Sequence, residues 1–143
     1  MTDISRSALV PYSPAQMFDV VNDVRAYPSF LPWCASAQLI SETDQEMVAR
    51  LEIAKGGISQ GMTTRNRIDR PSSMTIELID GPFKRLSGKW TFEALGTEGC
   101  KVSLRMSFDV DGRLMGAALG KVFSIAADKM VEAFCDRADK LYG

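Results

Sequence analysis

Alternation of apolar and polar residues governs the stretch from Met47 to Val110 and then stops, and that change of period constrains the fold more than any other feature. Val102, Leu104, Met106, Phe108 and Val110 occupy every second position without a break, the period of a strand with one buried face. Met47, Ala49, Leu51 and Ile53 keep the same beat against Val48, Arg50 and Glu52. Between these runs, Ile58, Gln60, Met62, Thr64, Asn66 and Ile68 share a face, and Met74, Ile76 and Leu78 resume the alternation after Pro71-Ser72-Ser73. Leu86, Trp90, Phe92 and Ala94 mark a further strand. Lys55-Gly56-Gly57 and Gly96-Thr97-Glu98-Gly99 are short links, so most strands pair with their sequence neighbours in an antiparallel sheet. Ile4 to Val10 and the weaker pattern of Ser36 to Glu42 bring the sheet to roughly seven strands.

From about Gly112 to Leu141 the apolar positions fall three and four apart: Met115, Leu119, Val122, Phe123, Ala126, Met130, Phe134, Ala138 and Leu141. Roughly 30 residues at 1.5 Å each span about 45 Å, enough to cross a sheet. Three glycines in the first turns, each costing up to about 1 kcal/mol in a helix interior, imply a loose or later start. A sheet with one apolar face must cover it, and this helix is the element long enough to do so. The expectation is an α+β fold in which the sheet wraps one long C-terminal helix, forming a cup. No linker or repeat divides the chain, so residues 1–143 read as one domain.

The lid of the cup is read from YSPAQMFDVVNDVRAYPSFLPWC, Tyr12 to Cys34. Ser13 is an N-cap and Pro14 suits the first helical position, while Met17, Val20, Val21 and Val24 form an apolar helical face. Tyr27-Pro28 and Leu31-Pro32 are expected to interrupt the helix, because a residue before proline is pushed out of the α region. Two short N-terminal helices follow, with Phe30, Leu31 and Trp33 on irregular structure as gate, plug or partner surface.

Composition closes several routes. With no histidine there is no Ser-His-Asp or Cys-His pair and no imidazole metal ligand. The 3 cysteines, Cys34, Cys100 and Cys135, have no CxxC spacing and read as reduced core thiols. A net charge of −1 gives no global pull towards nucleic acid or anionic membrane, and DNA binding is not expected. No apolar run approaches the roughly 20 residues of a membrane span, and MTDISRS lacks a signal pattern. The expectation is a cytoplasmic chain.

The YSPAQMFDVVNDVRAYPSFLPWC segment, GMTTRNR, GPFKRLSGKWTF and the C-terminal helix resemble the RatA and coenzyme Q-binding branch of the START-like superfamily of polyketide cyclases and lipid-transport proteins. The resemblance runs over essentially the whole chain. It implies a helix-grip fold with a hydrophobic cavity between sheet and helix; with no histidine in the chain, no catalytic residue or metal is expected. It implies binding of ubiquinone or a related isoprenoid lipid in support of respiratory quinone function, with transient contact at the inner membrane surface. The alternative it implies is a ribosome-association toxin that binds the large ribosomal subunit and blocks subunit joining. A cyclase or aromatase enzyme is a third, weaker option.

The candidate cavity residues follow from the two apolar patterns and the lid. They are Phe30, Leu31 and Trp33 from the lid, then Met47, Leu51, Met62, Met74, Ile76, Trp90 and Phe92 from the first strands. Phe83, Leu104, Met106 and Phe108 join them from the later strands, and Met115, Leu119, Phe123 and Met130 from the helix. Ordinary core is the plain account of each residue taken singly, and adaptable methionines are the argument for a shared lipid-accepting interior. Thr64 and Asn66 lie on the inward face, where an amide or hydroxyl without a partner costs roughly 1–3 kcal/mol. They either bond to nearby backbone or trapped water, or hold the polar head of a quinone or lipid. Arg50, Arg65, Arg67, Lys89, Lys101 and Arg105 lie on the outward face among Glu52, Glu77 and Glu93, which favours cross-strand ion pairing over an RNA surface. Lys84 and Arg85, expected in a loop after Gly81-Pro82, are the better partner-contact candidates.

Overall fold

The computed structural model describes residues 2–55, 57–110 and 116–143. The chain runs β1 (Thr2–Val10), α1 (Pro14–Asn22), a 3₁₀ turn (Val24–Ala26), α2 (Tyr27–Phe30), β2 (Cys34–Glu42), β3 (Glu46–Lys55), β4 (Ile58–Asp69), β5 (Ser73–Asp80), β6 (Phe83–Leu95), β7 (Gly99–Val110), α3 (Gly116–Asp128) and α4 (Met130–Tyr142). The strands form one 7-stranded antiparallel sheet in the order β1-β7-β6-β5-β4-β3-β2. Six inter-strand steps of about 4.8 Å separate its edges, and the α1–α2 segment carries the chain from one edge to the other across the concave side. The lid is therefore obligatory: β1 and β2 are adjacent in sequence and outermost in the sheet.

The register puts the alternating residues where the pattern predicts. Leu104 faces Trp90, which faces Met74, and Met106 is flanked by Ile4 and Gly88. Their inward side chains are buried with Met47, Ile53, Val102 and Phe108 in one apolar cluster. Gly96, at φ 67°, turns β6 into β7 in a conformation that few side chains tolerate. Ala94, expected inward with Trp90 and Phe92, is exposed at the end of β6.

The C-terminal helix departs from the single straight rod. It divides at Lys129, whose backbone (φ −99°, ψ 2°) leaves the helical region. Hydrogen bonding continues through the break, with Lys129 N–H donating to Ile125 C=O at 3.2 Å and Ala133 N–H to Lys129 C=O at 3.0 Å. The bend lets one apolar stripe follow a curved sheet. Phe123 packs edge-to-face on Phe108 (4.8 Å between centroids) and Phe134 on Trp90 (5.2 Å). The described helix begins at Gly116; the expected start at Gly112 and the cavity candidate Met115 lie outside the described residues.

Three local expectations are also corrected. Tyr27-Pro28 does not break helical structure: Tyr27 is helical (φ −51°, ψ −45°) and Pro28 sits in the first turn of α2, where its missing N–H leaves no bond unmade. Burial outweighs the pre-proline preference here, since the Tyr27 hydroxyl donates to Val21 C=O and its ring packs on Phe134 at 5.2 Å. Lys84 and Arg85 belong to β6, beside a register shift between Phe83 and Arg85, because pairing with β7 extends to Val110. Phe30, expected on irregular structure, is the last residue of α2, because the helical turn runs on through Pro28. The two ends of the lid helices follow the sequence. Ser13 Oγ accepts from Gln16 N–H at 3.1 Å while Gln16 Oε1 accepts from Ser13 N–H at 2.9 Å, a complete capping box. Leu31-Pro32 does end α2, with Leu31 extended.

Candidate functional site

Between the sheet, the lid and the C-terminal helices lies an inner cavity of about 50 Å³. Val24, Tyr27 and Trp33 wall it from the lid, and Ala49, Leu51, Met62, Thr64, Asn66, Ile76, Leu86, Trp90 and Met106 from the sheet. Phe123 and Met130 close it from the helices. A water needs at least about 10–15 Å³ of such space, so the cavity is large enough for water.

The polar groups in this wall have unequal fates. Asn66 is 6% exposed and Thr64 5%, side by side on β4's inward face. Among the described residues no protein group donates to the Asn66 Oδ1 atom, so of the plain accounts the backbone one does not hold. Tyr27, by contrast, is committed to Val21 C=O. Burial first, and then the neighbouring Cys34 and Asp23, push its phenol well above the usual range, so it stays protonated at neutral pH. The cavity thus offers a free acceptor and a locked, uncharged phenol. No group of three or more metal-ligating side chains occurs among the described residues.

Of the candidates read from the sequence, Trp33, Leu51, Met62, Thr64, Asn66, Ile76, Trp90, Met106, Phe123 and Met130 meet on this wall. Met47, Met74, Phe92, Leu104 and Leu119 are buried but pack away from it. Phe83 and Phe108 join Phe123 in an aromatic cluster at one end, which fills the space there. Phe30 packs on Phe134 and lies under the Arg137 guanidinium at 5.1 Å. Val24, Tyr27, Ala49 and Leu86 are wall residues that the sequence reading did not single out. Tyr27 was hidden by the proline after it, while Ala49 and Leu86 sat in the strand pattern without a feature to separate wall from core.

An outer groove of about 250 Å³ opens on the other side of Trp33. Leu31, Pro32, Val122, Ile125, Ala126 and Ala133 line it, and the exposed Lys55, Lys121 and Lys129 stand around it. Trp33 lines both spaces, so its buried indole is the partition between them.

The outward face of the sheet divides into two halves. On β3–β5 the arginines are paired: Arg50 with Glu52 (3.7 Å), Arg65 with Glu46 (3.7 Å) and Glu77 (3.2 Å), and Arg67 with Glu77 (3.4 Å). On β6–β7, Lys89 stands directly opposite Arg105, and neither makes an ion pair among the described residues. Lys101 faces Glu93, and Arg85 faces Asp109.

A curved antiparallel sheet gripping C-terminal helices, with an aromatic-walled space between them, defines a helix-grip protein of the START-like class. The chain matches the family described as polyketide cyclase/dehydrase and lipid transport over residues 10–135, and it belongs to that family. It is 49% identical to the ribosome association toxin RatA of Pseudomonas aeruginosa over 142 residues, covering 99% of both chains. The mitochondrial coenzyme Q-binding protein coq10 of Schizosaccharomyces pombe is more distant, at 25% identity over 92% of this chain and 84% of its own. The Zhui aromatase/cyclase of Streptomyces sp. R1128 superposes with a TM-score of 0.84 at 19% identity, covering 97% of this chain and 94% of that one, a likeness of fold.

Proposed function

We propose that this protein acts at the ribosome by binding, as its RatA relatives are named for doing, and that it does so without catalysing a reaction. The observation that carries this reading is identity of 49% sustained over 99% of both chains. The interior supports it: about 50 Å³ falls well short of the roughly 300–1,000 Å³ of an ordinary small-molecule pocket. The one titratable side chain on the cavity wall among the described residues is Tyr27, too weak an acid for proton transfer at neutral pH. On this reading the protein works in the cytoplasm and holds the large subunit away from the small one. Raising its expression should deplete intact ribosomes in a sucrose gradient, accumulate free subunits and carry the protein into the large-subunit fractions. An unchanged profile at high expression would remove the reading.

A second reading rests on Trp33. Rotation of its indole would join the 250 Å³ groove to the inner cavity, giving an apolar channel that ends at the unpartnered Asn66 Oδ1. That shape suits an apolar tail with one hydrogen-bond donor at its polar end, and prenylated quinols in their reduced form fit the description. Native mass spectrometry of freshly purified protein should then show a prenyl lipid bound one-to-one. Consistently empty protein that also fails to bind added quinol sinks this second reading.

A further inference from the structure

The six outward neighbours of the Lys89–Arg105 pair all carry hydroxyls. Thr75 lies beside Lys89 on β5 and Ser5 beside Arg105 on β1. Along the strands, the facing pairs Ser87–Ser107 and Thr91–Ser103 bracket the cations on either side. The nearest carboxylates are otherwise engaged: Asp3 accepts from the Ser107 hydroxyl, and Glu77 is held by Arg65 and Arg67.

Like charges placed directly opposite on a sheet are destabilising, and the rest of this face avoids them by pairing its arginines. A buried core does not require the Lys89–Arg105 pair, because both side chains point into solvent. What the pair needs is an anion with several acceptor oxygens, and the hydroxyls of Ser5, Thr75, Ser87, Thr91 and Ser103 supply neutral donors that complete such a site, the Ser107 hydrogen being given to Asp3. This inner ring contains no aromatic side chain on which a base could stack and no apolar wedge to enter a bilayer. We infer that the β5–β6–β7–β1 outer face, centred on Lys89 and Arg105, docks the sugar-phosphate backbone of double-helical RNA. Duplex RNA is read largely by shape, through phosphates and 2′-hydroxyls, and those are the groups that cations and serine or threonine hydroxyls recognise. The inference rests on the ribosome reading and locates the contact. It also explains how a chain of net charge −1 can hold RNA, since the paired half of the face contributes little field.

The test compares wild type, K89S/R105S and the control R65S, whose arginine is already engaged by two glutamates. Each is titrated with an RNA duplex of about 16 base pairs, the span of an ordinary duplex-RNA-binding domain, and sedimented with purified large ribosomal subunits. Losing two phosphate contacts should lower the slope of log affinity against log salt by about 1.8, so between 50 and 200 mM salt the wild type should lose about 12-fold more affinity than K89S/R105S. R65S should keep the wild-type slope. The double variant should fold with an unchanged or raised melting midpoint, because the opposed charges are gone. If wild type and K89S/R105S sediment with subunits equally and share one salt slope, the face is wrong while the ribosome reading stands. Equal weakening by R65S would reduce the effect to bulk charge and overturn the inference as well. Loss of binding to phosphatidylglycerol vesicles with RNA binding intact would overturn it in favour of a membrane surface. Failure of the wild type to sediment with the large subunit would remove the ribosome reading and this inference together.

Discussion

Replacing Asn66 with leucine should stabilise the protein. The amide is buried on β4 with Oδ1 unpartnered, in a wall otherwise built largely of Leu51, Met62, Ile76 and Trp90. A buried polar atom without a partner costs roughly 1–3 kcal/mol, and a side chain of similar size with no polar atoms removes that cost while filling part of the 50 Å³ void. For a chain of 143 residues each kcal/mol moves the melting midpoint by about 4 °C, so Asn66→Leu should raise it by about 4–12 °C. Calorimetry reads the shift directly, and urea unfolding checks that the slope with denaturant, hence the surface exposed, is unchanged. Asn66→Asp should move the midpoint the other way, since it buries a carboxylate. An Asn66→Leu midpoint at or below wild type would refute the reasoning, because it would mean the amide is satisfied in solution. A rise accompanied by lost function would mark Asn66 as a residue kept for binding at the expense of stability.

Two further outcomes follow from the packing and the buried thiols. Phe134 is fully buried and touches Tyr27, Phe30 and Trp90, tying α4 to both lid and sheet, so Phe134→Ala should cost about 3–5 kcal/mol in urea unfolding. Burial pushes the Cys34 thiol from 9.0 up to about 11, so the unfolded state sheds this proton first. Its stabilising contribution is whole below about pH 9 and is lost as pH rises towards 11, at no more than about 1.4 kcal/mol per pH unit. The Cys34→Ala variant should therefore show a shallower loss of stability over that window, and an identical pH profile would refute the burial argument.

The period-2 and period-3.6 patterns determined the sheet, its inward residues and the existence of covering helices, because the geometry of a strand or helix ties sequence spacing to facing direction. Ser13, Pro14 and Gln16 likewise state the start of α1 in local chemistry alone. Local pattern could not show that the C-terminal helix bends at Lys129, since the bend answers the curvature of a sheet whose strands lie far off in sequence. Nor could it show that Tyr27 is helical, because the ring's burial against Phe134, over a hundred positions away, overrides the proline beside it. The cavity followed the same division. Ten of its wall residues were named as cavity candidates from the pattern and the lid. Its small volume was not, because space is what remains after side chains from every element have packed. The outward charges show the same limit: the alternation placed all six cations on one face, and only the strand register separated the paired arginines from Lys89 opposite Arg105.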